Sequence, residues 1–165
     1  MTKNKAAEVL LTTCSNCKTD EKILIVTDPT SYQVAKIMWD TAINYPHKTL
    51  VMMNETSMHG QDPTEIVATA MKNADVIFGC TKFSLFHSKA RKKAVENGAR
   101  FVNMVDYGLE MMEKGGLYCD FEEVGRICSK VASKIENKKT CKITTAKGTN
   151  YTCSIEGIKP NPQYG

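Results

Sequence analysis

The 165-residue chain contains no G-x-G-x-x-G, no G-x-x-x-x-G-K-[ST] and no G-x-S-x-G, so dinucleotide, P-loop and nucleophile-elbow readings lose their usual support. No apolar run approaches the ~18 residues of a membrane span. There are only three histidines, none paired at ligand spacing, and one lone C-x-x-C, Cys14 to Cys17. The chain therefore shows no metal set of its own. The first residues, MTKNKAAEVLLTTCSNC, lack both a long apolar core and a small-residue cleavage pattern, and read as a mature helix. Aromatics are sparse at 7%. The basic cluster Lys82, Lys89, Arg91, Lys92 and Lys93 has no aromatics interleaved with it on one helix face, and it reads as a solvated helix surface and not a nucleic-acid footprint.

What is present is ordinary globular material: 42% hydrophobic and 24% charged residues, with a net charge of +4. The seven cysteines are an odd number, spread over a chain long enough to bury a core without staples. They point to a reduced, cytoplasmic setting. The C-x-x-C ends a helix and precedes a strand, whereas a redox motif follows a strand and opens a helix. That placement favours structural cysteines.

Short β-rich runs at 22–28, 49–54, 75–80 and 100–105 alternate with helical patterns. The alternation predicts an α/β fold with a doubly wound, mostly parallel sheet. Thr30 or Ser31, Asp62 ahead of Pro63, and Ser84 are candidate helix N-caps, and Gly98 suits a left-handed helix stop. After a short helix near 108–114, the segment 121–135 places Phe121, Val124, Ile127, Cys128, Val131 and Ile135 on one face. It closes a first domain, 1–138. Period-two alternation around Lys147 and Gly148 then predicts a β-hairpin. Residues 139–165 are read as that hairpin and tail, opening a second β-rich domain that continues past Gly165.

The stretch that carries chemistry runs from Thr81 to Ser88, directly after the 75–80 strand. Thr81, Ser84, His87 and Ser88 gather at the carboxyl end of a strand, where open α/β sheets bind ligands. With a helix starting at Ser84, His87 falls in its first turn, where the helix dipole favours a neutral imidazole. Ordinary capping chemistry explains the same cluster equally well. His59 also faces the carboxyl edge, although Gly60 and Pro63 already account for a turn there. His47 sits in a helix-to-strand loop.

Taken together, the "ADV" strand at 74–76, the Thr-x-x-Ser-x-x-His-Ser-x-Ala-Arg segment at 81–91, the "GAR" strand at 98–100 and the T-x-x-K-G-T-N hairpin at 144–150 resemble the aminopeptidase T family. These are metal-dependent leucyl aminopeptidases, and the resemblance extends to their relative, 2,5-dihydroxypyridine dioxygenase. It covers nearly the whole chain. It implies a Rossmann- or flavodoxin-like N-terminal domain that covers the substrate of a metalloenzyme and is inactive alone. It also implies a divalent metal (Zn, Co, Mn or Fe) held by a missing C-terminal half, a small-molecule or peptide substrate, and a homodimer without nucleic-acid or membrane partners. His87 becomes the candidate base, and Thr81, Ser84, Ser88 and His59 the candidate substrate contacts. Ser88 stands where the family usually has Thr, and TKFSLFH carries more aromatic bulk than its pattern. The alternatives are a free-standing flavodoxin-like module binding a small anion or nucleotide around Asp28-Pro29-Thr30-Ser31 and 81–88, or a dimerisation module.

Overall fold

The computed structural model describes residues 4–162. The described chain divides into two compact units, 1–118 and 119–165. The first is built on four parallel strands, β1 (Ile23–Thr27), β2 (Lys48–Met52), β3 (Val76–Cys80) and β4 (Arg100–Asn103), in the order β2-β1-β3-β4. The two central strands are buried along their whole length, whereas β2 and β4 are partly exposed. That difference follows from position: an inner strand is covered on both faces and hydrogen-bonded on both sides.

Alternate side chains of each strand face opposite layers. On one face Ile23, Ile25, Val76 and Phe78 meet Ala6, Ala7 and Leu10 of the N-terminal helix and Val34, Ala35 and Met38 of α2 (Tyr32–Thr41). On the other face Leu24, Val26 and Ile77 meet Val67 and Met71 of α3 (Glu65–Lys72) and Ala90 and Ala94 of α4 (Lys89–Glu96). Each fully buried large side chain contributes about 1.5–3 kcal/mol. Gly79 is small for a packing reason, since a Cβ there would lie 2.8 Å from the Phe101 ring.

Helix α1 (Lys5–Val9) starts where the Asn4 side chain accepts the Ala7 N–H, and it runs into one wide π-turn, Leu10–Cys14. Ser15 Oγ closes that turn by donating toward the Leu10 and Leu11 carbonyls at 2.7 and 2.9 Å. Cys17 packs against the core, 3.1 Å from Ser15 Oγ, and burial pushes its thiol pKa up. A raised pKa suits a structural cysteine better than a nucleophile. Gly98 takes φ +98° just past α4, as a left-handed stop requires. The N-cap of α3 is Thr64 and not Asp62. The Asp62 carboxylate instead accepts the Ala90 N–H of α4 at 2.9 Å, so the distant helix takes the acceptor that its own would have used.

The second unit contains α5 (Phe121–Ile135), capped by Asp120 through the Glu123 N–H, and the antiparallel pair β5 (Thr140–Thr144) and β6 (Asn150–Ser154). Helix α5 groups with this hairpin. Among the described residues no helix is long and apolar enough to cross a membrane.

One ion pair ties the loop after the N-terminal helix to the start of β4. Arg100 donates to Glu21 at 2.6 Å and to the Ser15 carbonyl at 2.7 Å. The Arg100 hydrogen bond is the main reason the Glu21 carboxyl pKa lies below its ordinary value. A lowered carboxyl pKa gives stability that is present above the ordinary carboxylate range and is lost as pH falls through the lowered value. Glu21→Gln should therefore cost up to about 1 kcal/mol at neutral pH, discounted for a partly exposed pair. Denaturant melts from pH 7 down to pH 2 should show the two proteins converging at the acid end.

Candidate functional site

The carboxyl ends of the strands are joined to one another by short-range chemistry supplied by the loops. Asp28 follows β1 directly and is buried to 1% exposure. One carboxylate oxygen accepts the Ser31 N–H at 2.9 Å, and the other accepts the Lys82 N–H, just past β3, at 2.6 Å. Chain order reverses between β1 and β3, since β2 lies to one side of β1 and β3 to the other. That reversal is where an open α/β sheet leaves a crevice, and here the Asp28 carboxylate links the ends of β1 and β3 across it.

Neighbouring loops repeat the pattern. Thr30 Oγ1 donates to Glu55. Lys82 Nζ pairs with Asp106 at 2.7 Å, and this hydrogen bond raises the Lys82 pKa. Asp106 in turn donates its N–H to the Thr81 carbonyl. Ser84 lies 3.1 Å from Asn103 Oδ1 and is well placed to donate to it.

The 81–88 segment differs from its sequence reading in one respect. No helix starts at Ser84. Residues 85–88 form a turn closed by the Ser88 N–H donating to the Leu85 carbonyl, and α4 begins at Lys89 with Ser88 as its N-cap. The cause is competition for Ser84. Its N–H goes to His59 Nδ1 at 3.0 Å, its carbonyl to the Gly60 N–H at 2.8 Å, and its hydroxyl oxygen accepts the Phe86 N–H at 3.1 Å. His87 therefore lies just outside the helix, and the argument that a first-turn dipole holds its imidazole neutral does not apply.

The hydroxyls of the cluster are engaged internally. Thr81 Oγ1 donates to the Phe83 carbonyl at 2.7 Å, Ser84 is used as described, and Ser88 Oγ accepts the Arg91 N–H at 3.1 Å. All three residues are buried. The imidazoles differ: His59 and His87 are both exposed. Because His59 Nδ1 accepts a backbone N–H, a neutral ring carries its proton on Nε2 and can donate from there. Phe83 packs edge-on against His59 at 5.3 Å, Phe86 edge-on against His87 at 5.2 Å, and Arg91 stacks over Phe86 at 4.0 Å.

Gly60 makes this arrangement possible. It takes φ +82°, and a Cβ there would come within 3.2 Å of the His87 Cβ. Asp28, Gly60 and Asp62 are the residues whose roles are not apparent from sequence. The only signal was the D-P-T-S spacing, typical of an aspartate that accepts a backbone N–H three residues on. His47 lies at the opposite, amino end of the sheet, where its carbonyl accepts the Ile23 N–H. Cys80 is buried beside Asp28, and burial pushes its thiol pKa up to about 12, which keeps it unreactive.

The family model described as 2,5-dihydroxypyridine 5,6-dioxygenase (NicX) matches residues 5–165. The chain belongs to this dioxygenase family. Neither a curated protein nor a solved structure matches it significantly. The divalent metal implied by the resemblance does not fit the residues present: among those described, no group of three or more His, Cys, Asp or Glu could hold an ion. What the dioxygenase-family chain offers at this edge is a pair of imidazoles flanked by aromatic rings on a cross-braced base.

Removing the brace should be costly. Asp28→Ala leaves two backbone N–H groups without their acceptor, and a loss of about 2–4 kcal/mol is expected from such charge-assisted bonds. Urea unfolding should show a lower midpoint. Amide exchange should show that the Ser31 and Lys82 N–H groups lose protection first.

Proposed function

We propose that this chain is the substrate-positioning domain of a ring-opening dioxygenase acting on a dihydroxylated pyridine, with His87 as the proton acceptor. The observation that carries this reading is the exposed His87 imidazole, set against Phe86 and backed by Gly60 at the carboxyl edge of the sheet. The strand order 2-1-3-4 is that of a flavodoxin-like sheet, whose ligands bind at this edge.

The chemistry suits a flat hydroxylated ring. Aromatic edges at Phe83 and Phe86 provide apolar contact. His59 Nε2–H donates to a ring oxygen, and His87 removes a hydroxyl proton, which makes the ring more electron-rich before oxygen attacks it. Among the described residues no group of three or more His, Cys, Asp or Glu would hold the metal that oxygen activation calls for, and in this reading the domain is inactive by itself. Peptide hydrolysis is the alternative activity for the same domain, and its support is the aminopeptidase resemblance of the sequence alone. An anion-binding module is a poorer fit, because the Asp28 carboxylate already takes the backbone N–H groups an anion would use.

In an active enzyme containing this domain, His87→Gln should lower kcat for 2,5-dihydroxypyridine by roughly tenfold or more, within the usual range for loss of a general base. Melting temperature should stay within about a degree, as for a surface change. His59→Gln should act mainly on KM. Full activity in His87→Gln would overturn the reading.

A further inference from the structure

The hairpin register places two cysteines directly opposite each other, Cys141 on β5 and Cys153 on β6. Backbone bonds on either side fix the type of this pair. Ile155 N–H donates to the Lys139 carbonyl at 2.9 Å, and Thr145 N–H donates to the Thr149 carbonyl at 3.0 Å. Hydrogen-bonded and non-hydrogen-bonded pairs alternate along an antiparallel ladder. Counting in twos from either end, Cys141 and Cys153 are a hydrogen-bonded pair, with Cα atoms about 5.5 Å apart. A disulfide takes Cα separations of about 4.4–6.8 Å, so the Cα spacing of this pair lies within the range a bridge spans. The Cβ atoms of opposed residues stand about 4.5–5.5 Å apart, beyond the ~3.8 Å of a relaxed bridge. Closing that gap requires the hairpin to twist, so the resulting bridge is easily reduced.

We propose that Cys141 and Cys153 are a reversible oxidation site, a dithiol that low-molecular-weight disulfides of the glutathione class convert to a cross-strand bridge. Both thiols are free and both residues are partly accessible. The thiolate of either cysteine attacks one sulfur of the oxidised reagent, forming a mixed disulfide and releasing one reduced thiol. The opposing thiolate then attacks the protein sulfur of that mixed disulfide and displaces the second reduced thiol. The two cysteines lose two protons and two electrons, and the reagent disulfide becomes two thiols. The buried, strongly raised Cys80 takes no part.

The bridge fastens a two-stranded sheet of a kind that is marginal by itself. On the face shared with the cysteines lie Ile143, Tyr151 and Ile155, and the first two are half-exposed at 49% and 57%. Oxidation therefore stiffens the strip of the hairpin that carries its apolar side chains.

The test equilibrates the full chain in mixtures of reduced and oxidised glutathione, quenches with acid, alkylates the free thiols and maps tryptic peptides. The expected product links the peptide 140–142 to the one beginning at Gly148, on the order of tenfold more abundant than any other cysteine pair. In Cys153→Ser, glutathione should remain on Cys141; in Cys141→Ser it should remain on Cys153. Amide exchange at residues 141, 143, 151 and 153 should slow roughly tenfold on oxidation. The proposal is overturned if the link is no more frequent in the folded chain than in guanidinium, if Cys141 or Cys153 pairs preferentially with Cys128, or if the wild-type chain accumulates the mixed disulfide without resolving it.

Discussion

A carboxylate buried at the end of a β-strand is costly unless donors surround it. Asp28 finds those donors in two backbone N–H groups, one in its own turn and one past β3. This pair of bonds spans the point where the sheet changes direction, and the rest of the carboxyl edge depends on it. It fixes Lys82, whose ammonium reaches Asp106. It also sets the start of the segment that Ser84 then shapes through His59, Gly60 and Asn103. Loops from all four strands are thus cross-braced by single hydrogen bonds, each modest alone and stronger for being networked.

The bracing uses up most of the chemistry the segment displays. Three hydroxyls that look like substrate contacts in sequence are buried and engaged in turns and a helix cap. The side chains left facing solvent are the imidazoles of His59 and His87 with the phenylalanines beside them. A rigid polar base under a few exposed functional groups is what precise positioning requires, because a ring displaced by about 1 Å forfeits much of its catalytic effect. This edge therefore presents two exposed side chains held by many buried ones.

The second unit follows a different logic. Its hairpin has a local turn, with Gly148 at φ +102°, and few buried side chains. Its strands are specified by alternation and by that turn more than by packing. A sheet of two strands gains little from burial, so covalent chemistry between opposed cysteines has more influence there than in the sheet of the first unit.

The sequence by itself determined the elements. Apolar runs of strand length separated by helical patterns predicted the four strands, each to within about two residues, and Lys147-Gly148 located the hairpin, because these signals are local and written in periodicity and turn chemistry. Gly98 marked the end of α4 for the same reason. Tertiary structure alone decided which acceptor each donor meets. Asp62 caps a helix 28 positions away instead of the one beside it, and Ser84 yields its helix-starting role to Ser88 because His59 and Gly60 take its backbone groups. Cys141 faces Cys153 only because the hairpin register pairs them. Each of these depends on a partner far along the chain, and hydrogen-bond competition between distant segments is settled only when the fold brings them within 3 Å of each other.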